Sequence, residues 1–121
     1  MTAAAINRMR HGRAATLAFC VGICAALSLP AAAAAKTWTV KITGMRYEPA
    51  TVTVDSGDTI VWVNEDPVAH TVTSVAAGRF DSRAIAPGGH WRHEAAAPGR
   101  YAYACAFHPT MQAMLIVKPK P

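Results

Sequence analysis

At 121 residues, with 52% hydrophobic side chains, the chain is sized for one domain and is too apolar for an extended solvated tail. Its formal charge of +5 is unevenly spread: Arg8, Arg10 and Arg13 stand near the N-terminus without an acid, whereas 36–121 sets nine Lys and Arg against seven acids, a net +2. With no Lys/Arg run and no aromatic-interleaved basic stripe, that balance argues against a nucleic-acid binder.

Residues 1–35 read as a secretory signal peptide. The basic stretch Met1 to Arg13 is followed by Ala14 to Leu29, almost entirely apolar, and after Pro30 come the small residues AAAAAK. A basic region, an apolar region and an A-x-A site form the export pattern, with cleavage expected near Ala35 and delivery to a bacterial periplasm. The alternative is an uncleaved anchor, because the apolar run approaches the lower limit of about 17 residues for crossing a bilayer. Cys20 follows Phe19 and Cys24 follows Ile23, so neither has the small preceding residue that lipidation needs. Both leave with the leader, as does His11. The mature domain, 36–121, then keeps one cysteine and has no partner for an internal disulfide. A domain this small buries only about 60–65% of its unfolded surface, and a bound metal can take the place of the missing staple.

Period-two alternation dominates the chain from residue 36 onward. Trp38, Val40 and Ile42 fall on one face of a first strand, with Thr37, Thr39 and Lys41 on the other. Met45, after the turn Thr43-Gly44, reads as core filler or as part of an apolar docking patch. Thr51 to Val54 is β-branched, Ser56-Gly57-Asp58 reverses the chain, and Thr59 to Val63 is a continuous run suited to a buried strand. His70 to Val75 is the next strand. Pro87-Gly88-Gly89 turns into His90 to Ala95, Pro98-Gly99 into Tyr101 to Ala104, and Met114 to Lys118 closes the chain, with Met114 and Ile116 expected inward. Trp38, Trp62 and Trp91 all fall on strand patterns and are expected to fill the core. About seven short strands with no helical periodicity after residue 36 predict an all-β fold, a small sandwich or Greek-key barrel.

The chemistry lies in four side chains. His70 precedes a strand, and Cys105, His108 and Met111 follow one another as C-x2-H-x2-M. A thiolate, two imidazoles and a weak axial thioether are the donor set of a mononuclear blue-copper site. One tight loop between two strands supplies three of the four, and Pro109 stiffens it by fixing its own φ and restricting His108. A lone buried cysteine is otherwise an inert core residue. His90 and His93 lie an odd number of residues apart on one strand, hence on opposite faces, and do not share a metal.

GRYAYACAFHPTMQAMLIV, with EPATVTVDSGDTIVWVNEDPVAHTVTS upstream, resembles the cupredoxins over essentially all of 36–121, and its loop spacing is most similar to that of the amicyanin branch. The resemblance implies a Greek-key β-sandwich, one type 1 copper held by His70, Cys105, His108 and Met111, and single-electron transfer between redox proteins. Relatives in that branch serve a dehydrogenase and a c-type cytochrome, so soluble redox proteins are the expected partners of a mature monomer with no membrane attachment. The sequence departs from the family where Met-x-Gly is common: it reads Met111-Gln112-Ala113-Met114, leaving Met114 as a second candidate for the axial position. A copper-trafficking protein is the alternative function. An enzyme is not expected, because a multicopper site needs further histidine clusters, and a cysteine hydrolase needs a cleft and an orienting group that the chain does not offer.

Overall fold

The computed structural model describes residue 12 and residues 16–20, 22–31 and 33–121. Two units are separable, Met1–Pro30 and Ala31–Pro121. The stretch carrying Arg8, Arg10 and Arg13, the basic end of the expected leader, lies outside the described residues. The described residues of the first unit form neither helix nor strand, and Leu17, Phe19, Ile23, Leu27 and Leu29 are exposed. Among the described residues no helix is long and apolar enough to cross a membrane.

The second unit is all-β. Its strands are β1 (Thr37–Thr43), β2 (Arg46–Glu48), β3 (Thr51–Asp55), β4 (Thr59–Asn64), β5 (Thr73–Ser74), β6 (His90–Glu94), β7 (Gly99–Ala104) and β8 (Gln112–Lys118). They form two four-stranded sheets, ordered β2-β1-β4-β6 and β3-β8-β7-β5. Each sheet is mixed: β1 pairs in parallel with β4, and β3 with β8, while the other neighbours are antiparallel. This is the Greek-key β-sandwich that the strand pattern and the resemblance imply.

Alternation decides what each strand buries. β4 directs Ile60, Trp62 and Asn64 inward, β1 contributes Val40 and Ile42, and the facing sheet supplies Val52, Val54, Tyr103, Leu115 and Val117. Trp62 donates its indole N–H to the Tyr103 hydroxyl at 3.2 Å, which joins the two sheets by a hydrogen bond inside the core. Parity continues past the strand ends. On β7 the inward side of Tyr101 and Tyr103 falls next on Cys105, and on β8 the inward set Leu115 and Val117 extends back to Ala113 and Met111.

Several expectations are corrected. Met114 and Ile116 do not face the core; Leu115 and Val117 do. Both parities of this strand are apolar, so a one-residue slip exchanges the faces, and the register that sets Leu115 beside Val52 and Tyr101 fixes which one is inward. Trp38 is 36% exposed at the margin of the sandwich, where its indole N–H donates to Asp58 Oδ2 at 2.9 Å. The Lys36 N–H, that indole and the Asp55 N–H hold the Asp58 carboxyl below the usual carboxylate range. Trp91 is only half-buried, tilted at 33° against Trp62 with ring centroids 5.4 Å apart. Met45 is not core: it is 42% exposed, in the left-handed region at φ 60°. The strand expected over His70 to Val75 shrinks to Thr73–Ser74, with His70 held by a single antiparallel bridge to Ile85. The three-residue β2 has no run long enough to announce itself.

Candidate metal centre

The loop after β7 is organised by its own backbone. His108 N donates to Cys105 O at 3.3 Å, and Met111 N donates to His108 O at 2.9 Å. C-x2-H-x2-M is therefore also two successive four-residue turns that share His108, each with its closing hydrogen bond. Cys105 N donates to Met111 O at 3.1 Å and pinches the loop shut just beyond the pair Ala104 and Gln112. Inward parity then sends Cys105, 1% exposed, and Met111, 4% exposed, into the protein. His108 stays half-buried on the loop.

His70 comes from the other side and is fully buried. Its backbone exchanges hydrogen bonds with Ile85, 3.2 Å and 2.7 Å long. Asn64 braces the same loop, its amide donating to Val68 O at 2.8 Å and Ile85 O at 3.0 Å. Thr71 laces the His70 segment to the cysteine loop: its N–H points at Cys105 Sγ from 3.3 Å, and its hydroxyl accepts from Ala106 N at 2.8 Å. Beneath it the Tyr47 hydroxyl donates to Thr71 O, and the Tyr47 ring meets Tyr103 edge-on at 4.8 Å. Burial, with the Cys105 and Tyr103 charges adding to it, pushes the Tyr47 hydroxyl pKa well up, so this bond persists across the ordinary pH range.

These elements bring His70, Cys105 and His108 together, with their ligand atoms all within 4.8 Å of one another. Cys105 Sγ lies 3.7 Å from His70 Nδ1 and 3.6 Å from His108 Nδ1, and the two imidazole rings are tilted at 60° with centroids 5.0 Å apart. The separations can be tested against a shared ion. A borderline-soft cation with bonds of about 2.3 Å to sulfur and about 2.0 Å to nitrogen, near 120° apart, requires sulfur–nitrogen distances of roughly 3.7 Å. The observed pair fits that requirement. One soft donor and two imidazoles suit copper or zinc and disfavour magnesium or calcium.

The other candidates lie apart. Met114 has the outward parity of β8 and lines a shallow groove with Thr51, Val75 and Ala102 on the outer face of the second sheet. His90 is exposed on β6; His93 is wedged between Phe80, 5.0 Å away, and Trp91, stacked at 5.4 Å and 15°. Burial lowers the His93 pKa, and Glu94 partly opposes the shift.

Two supporting residues were not anticipated. Thr71 offers a sequence signal only as the residue after His70. Asp66, four residues before His70, accepts from its Nε2 at 2.8 Å, so Nε2 carries the proton and the Nδ1 lone pair is the one facing Cys105. Burial raises the Asp66 carboxyl, but hydrogen bonds from Met45 N, His70 and Gly44 N more than offset it and leave the pKa low.

The family model of the cupredoxin-like domain matches residues 14–117. A reduced, Cu(I) methionine-to-alanine mutant of amicyanin is 26% identical, covering 68% of this chain and 82% of that one, with a TM-score of 0.64. A purple cupredoxin from Nitrosopumilus maritimus is 24% identical over 67% of this chain and 99% of its own, with a TM-score of 0.62. A copper-containing nitrite reductase from Thermus scotoductus SA-01 is also 24% identical, with a TM-score of 0.64, over 68% of this chain but 22% of the reductase. At 24% identity these last two likenesses are of fold alone.

Proposed function

This chain belongs to the cupredoxin-like domain family, and from that premise we propose that it is an exported type 1 copper protein that carries single electrons between redox partners. His70, Cys105 and His108 would hold the metal, and Met111 would supply a weak fourth donor. The observation that carries the reading is the pair of sulfur–nitrogen separations, 3.7 and 3.6 Å, around a buried cysteine. When bound, copper supplies a one-electron Cu(II)/Cu(I) couple.

The protein's own part is to keep the donors still. Two turn hydrogen bonds and the Cys105–Met111 pinch fix the loop, Thr71 presents an N–H to the sulfur, and Asp66 orients His70. A donor set held this way changes little with oxidation state, so little rearrangement opposes electron transfer. Half-buried His108 gives the electron its way out. Phe107, Val68 and Met45, exposed by 54%, 43% and 42%, lie on loops that carry or brace the ligands and offer an uncharged face to a protein partner such as a c-type cytochrome or a dehydrogenase. Under the same proposal residues 1–35 are a cleaved signal peptide, and the mature monomer, 36–121, works in the periplasm without attachment to the membrane and without enzymatic activity of its own.

Voltammetry of the copper-loaded protein tests this reading. A reversible one-electron wave, with the same oxidised spectrum before and after cycling, supports a carrier. Loss of copper on reduction would indicate a trafficking protein instead.

A further inference from the structure

The Asp66 carboxylate is 8% exposed, and among the described residues no lysine or arginine pairs with it. Its neighbours are three N–H groups: Gly44 N at 2.7 Å on Oδ1, and Met45 N at 2.9 Å and His70 Nε2 at 2.8 Å on Oδ2. A buried carboxylate without a cation is costly, and two backbone amides do not carry the charge that would balance it. The one route to positive charge runs through His70, whose Nδ1 faces Cys105 Sγ and His108. The same carboxylate also holds the Gly44-Met45 turn, in which Met45 takes a left-handed φ of 60° that a residue with a side chain adopts reluctantly.

We propose that Asp66 is a positioning residue that biases the metal centre toward its more highly charged oxidation state, while tying the exposed Met45 turn to the buried ligand His70. The inference rests on the copper reading above and deepens it. A carboxylate on Nε2–H fixes the tautomer, sets the ring orientation and makes Nδ1 a stronger donor. A stronger donor and a nearby negative charge both favour Cu(II) over Cu(I), which lowers the reduction potential. Asparagine at this position has nearly the same shape but no charge, and its NH2 must face one of the three donors.

The test uses the protein expressed from its full coding sequence, with Asp66→Asn and Asp66→Glu alongside it, and takes two readouts. The first is the reduction potential of the copper-loaded forms. Loss of a carboxylate behind a ligating histidine weakens metal binding about 10–100-fold. If that loss falls on Cu(II), the potential of Asp66→Asn rises by roughly 60–120 mV, at 59 mV per decade for one electron. Asp66→Glu, which keeps the charge, recovers at least half of that shift. The second readout needs no copper: 15N chemical shifts of the His70 ring in the metal-free protein show the Nε2–H tautomer in the wild type and a mixture in Asp66→Asn. An unchanged potential in Asp66→Asn, with only a lower melting temperature, would reduce Asp66 to a turn support and overturn the proposal. So would an Nδ1–H tautomer in the wild type. Should the wild type fail to take up copper, the functional reading falls, and the nitrogen shifts still decide the role of Asp66.

Discussion

Replacing Tyr103 by phenylalanine removes one oxygen atom from the centre of the sandwich. Tyr103 and Trp62 are both fully buried, and the Trp62 indole N–H donates to the Tyr103 hydroxyl at 3.2 Å across the two sheets. Burial pushes the Tyr103 hydroxyl pKa up to about 12, with the Trp62 bond opposing the shift, so the group is neutral wherever the protein is handled. In Tyr103→Phe the indole N–H has no partner and no water, which costs about 1–3 kcal/mol. A central value near 2 kcal/mol lowers the melting temperature of a domain this size by roughly 8–16 °C. Trp62→Phe costs more, because it also leaves a void between rings centred 5.4 Å and 5.7 Å away. In the double mutant both polar atoms are gone, so adding Tyr103→Phe to Trp62→Phe costs close to nothing. The cycle therefore gives a coupling of about 1–3 kcal/mol. Urea denaturation of the metal-free proteins measures it without interference from the nearby Cys105 site. Additivity within about 0.5 kcal/mol would refute the claim that this hydrogen bond joins the sheets.

The axial position separates the two methionines: Met111→Gln shifts the potential and the spectrum with copper retained, whereas Met114→Leu changes stability by less than about 1.5 kcal/mol and leaves the spectrum alone. The reverse outcome, read by spectroscopy and denaturation, would assign Met114 as the ligand. Copper that binds only the folded state adds roughly 4 kcal/mol at a thousand times its dissociation constant, so calorimetry of loaded and metal-free protein shows the loaded form melting higher; equal temperatures would contradict it. His93, wedged between Phe80 and Trp91, has a pKa below the ordinary imidazole value of 6.5. The unfolded chain therefore takes up this proton first as the pH falls. Stability from this group is complete above about pH 6.5 and declines below it. Metal-free His93→Phe loses less melting temperature than the wild type between neutral and mildly acid pH; an identical decline would show that His93 is not the cause.

The grouping of Cys105 and His108 with His70 was legible because loop spacing is written locally and an H-T-V stretch opens a strand pattern. The parity that sends Met111 inward with Leu115 and Val117 was not readable in advance. Met114 and Ile116 offered an equally apolar face, and only the register that pairs Leu115 with Val52 and Tyr101 decides between them. Trp38 looked like core from its alternation, yet the sandwich ends beside it and Asp58 takes its N–H. Thr71 reaches Cys105 across 34 positions, and Asp66 reaches Gly44 and Met45 across 22 and 21, which no local pattern encodes; the bond from His70 to Asp66 spans only four, but no strand or helix period announces it.

The central claim is that the Cys105 thiolate would bind copper together with His70 and His108. The visible absorption spectrum of the protein loaded with one equivalent of Cu(II), beside Cys105→Ser treated identically, tests it most directly. An intense thiolate-to-copper charge-transfer band is expected in the wild type, vanishing on reduction and absent from Cys105→Ser. A band that survives in Cys105→Ser, or a wild type that binds Cu(II) without one, would contradict the claim.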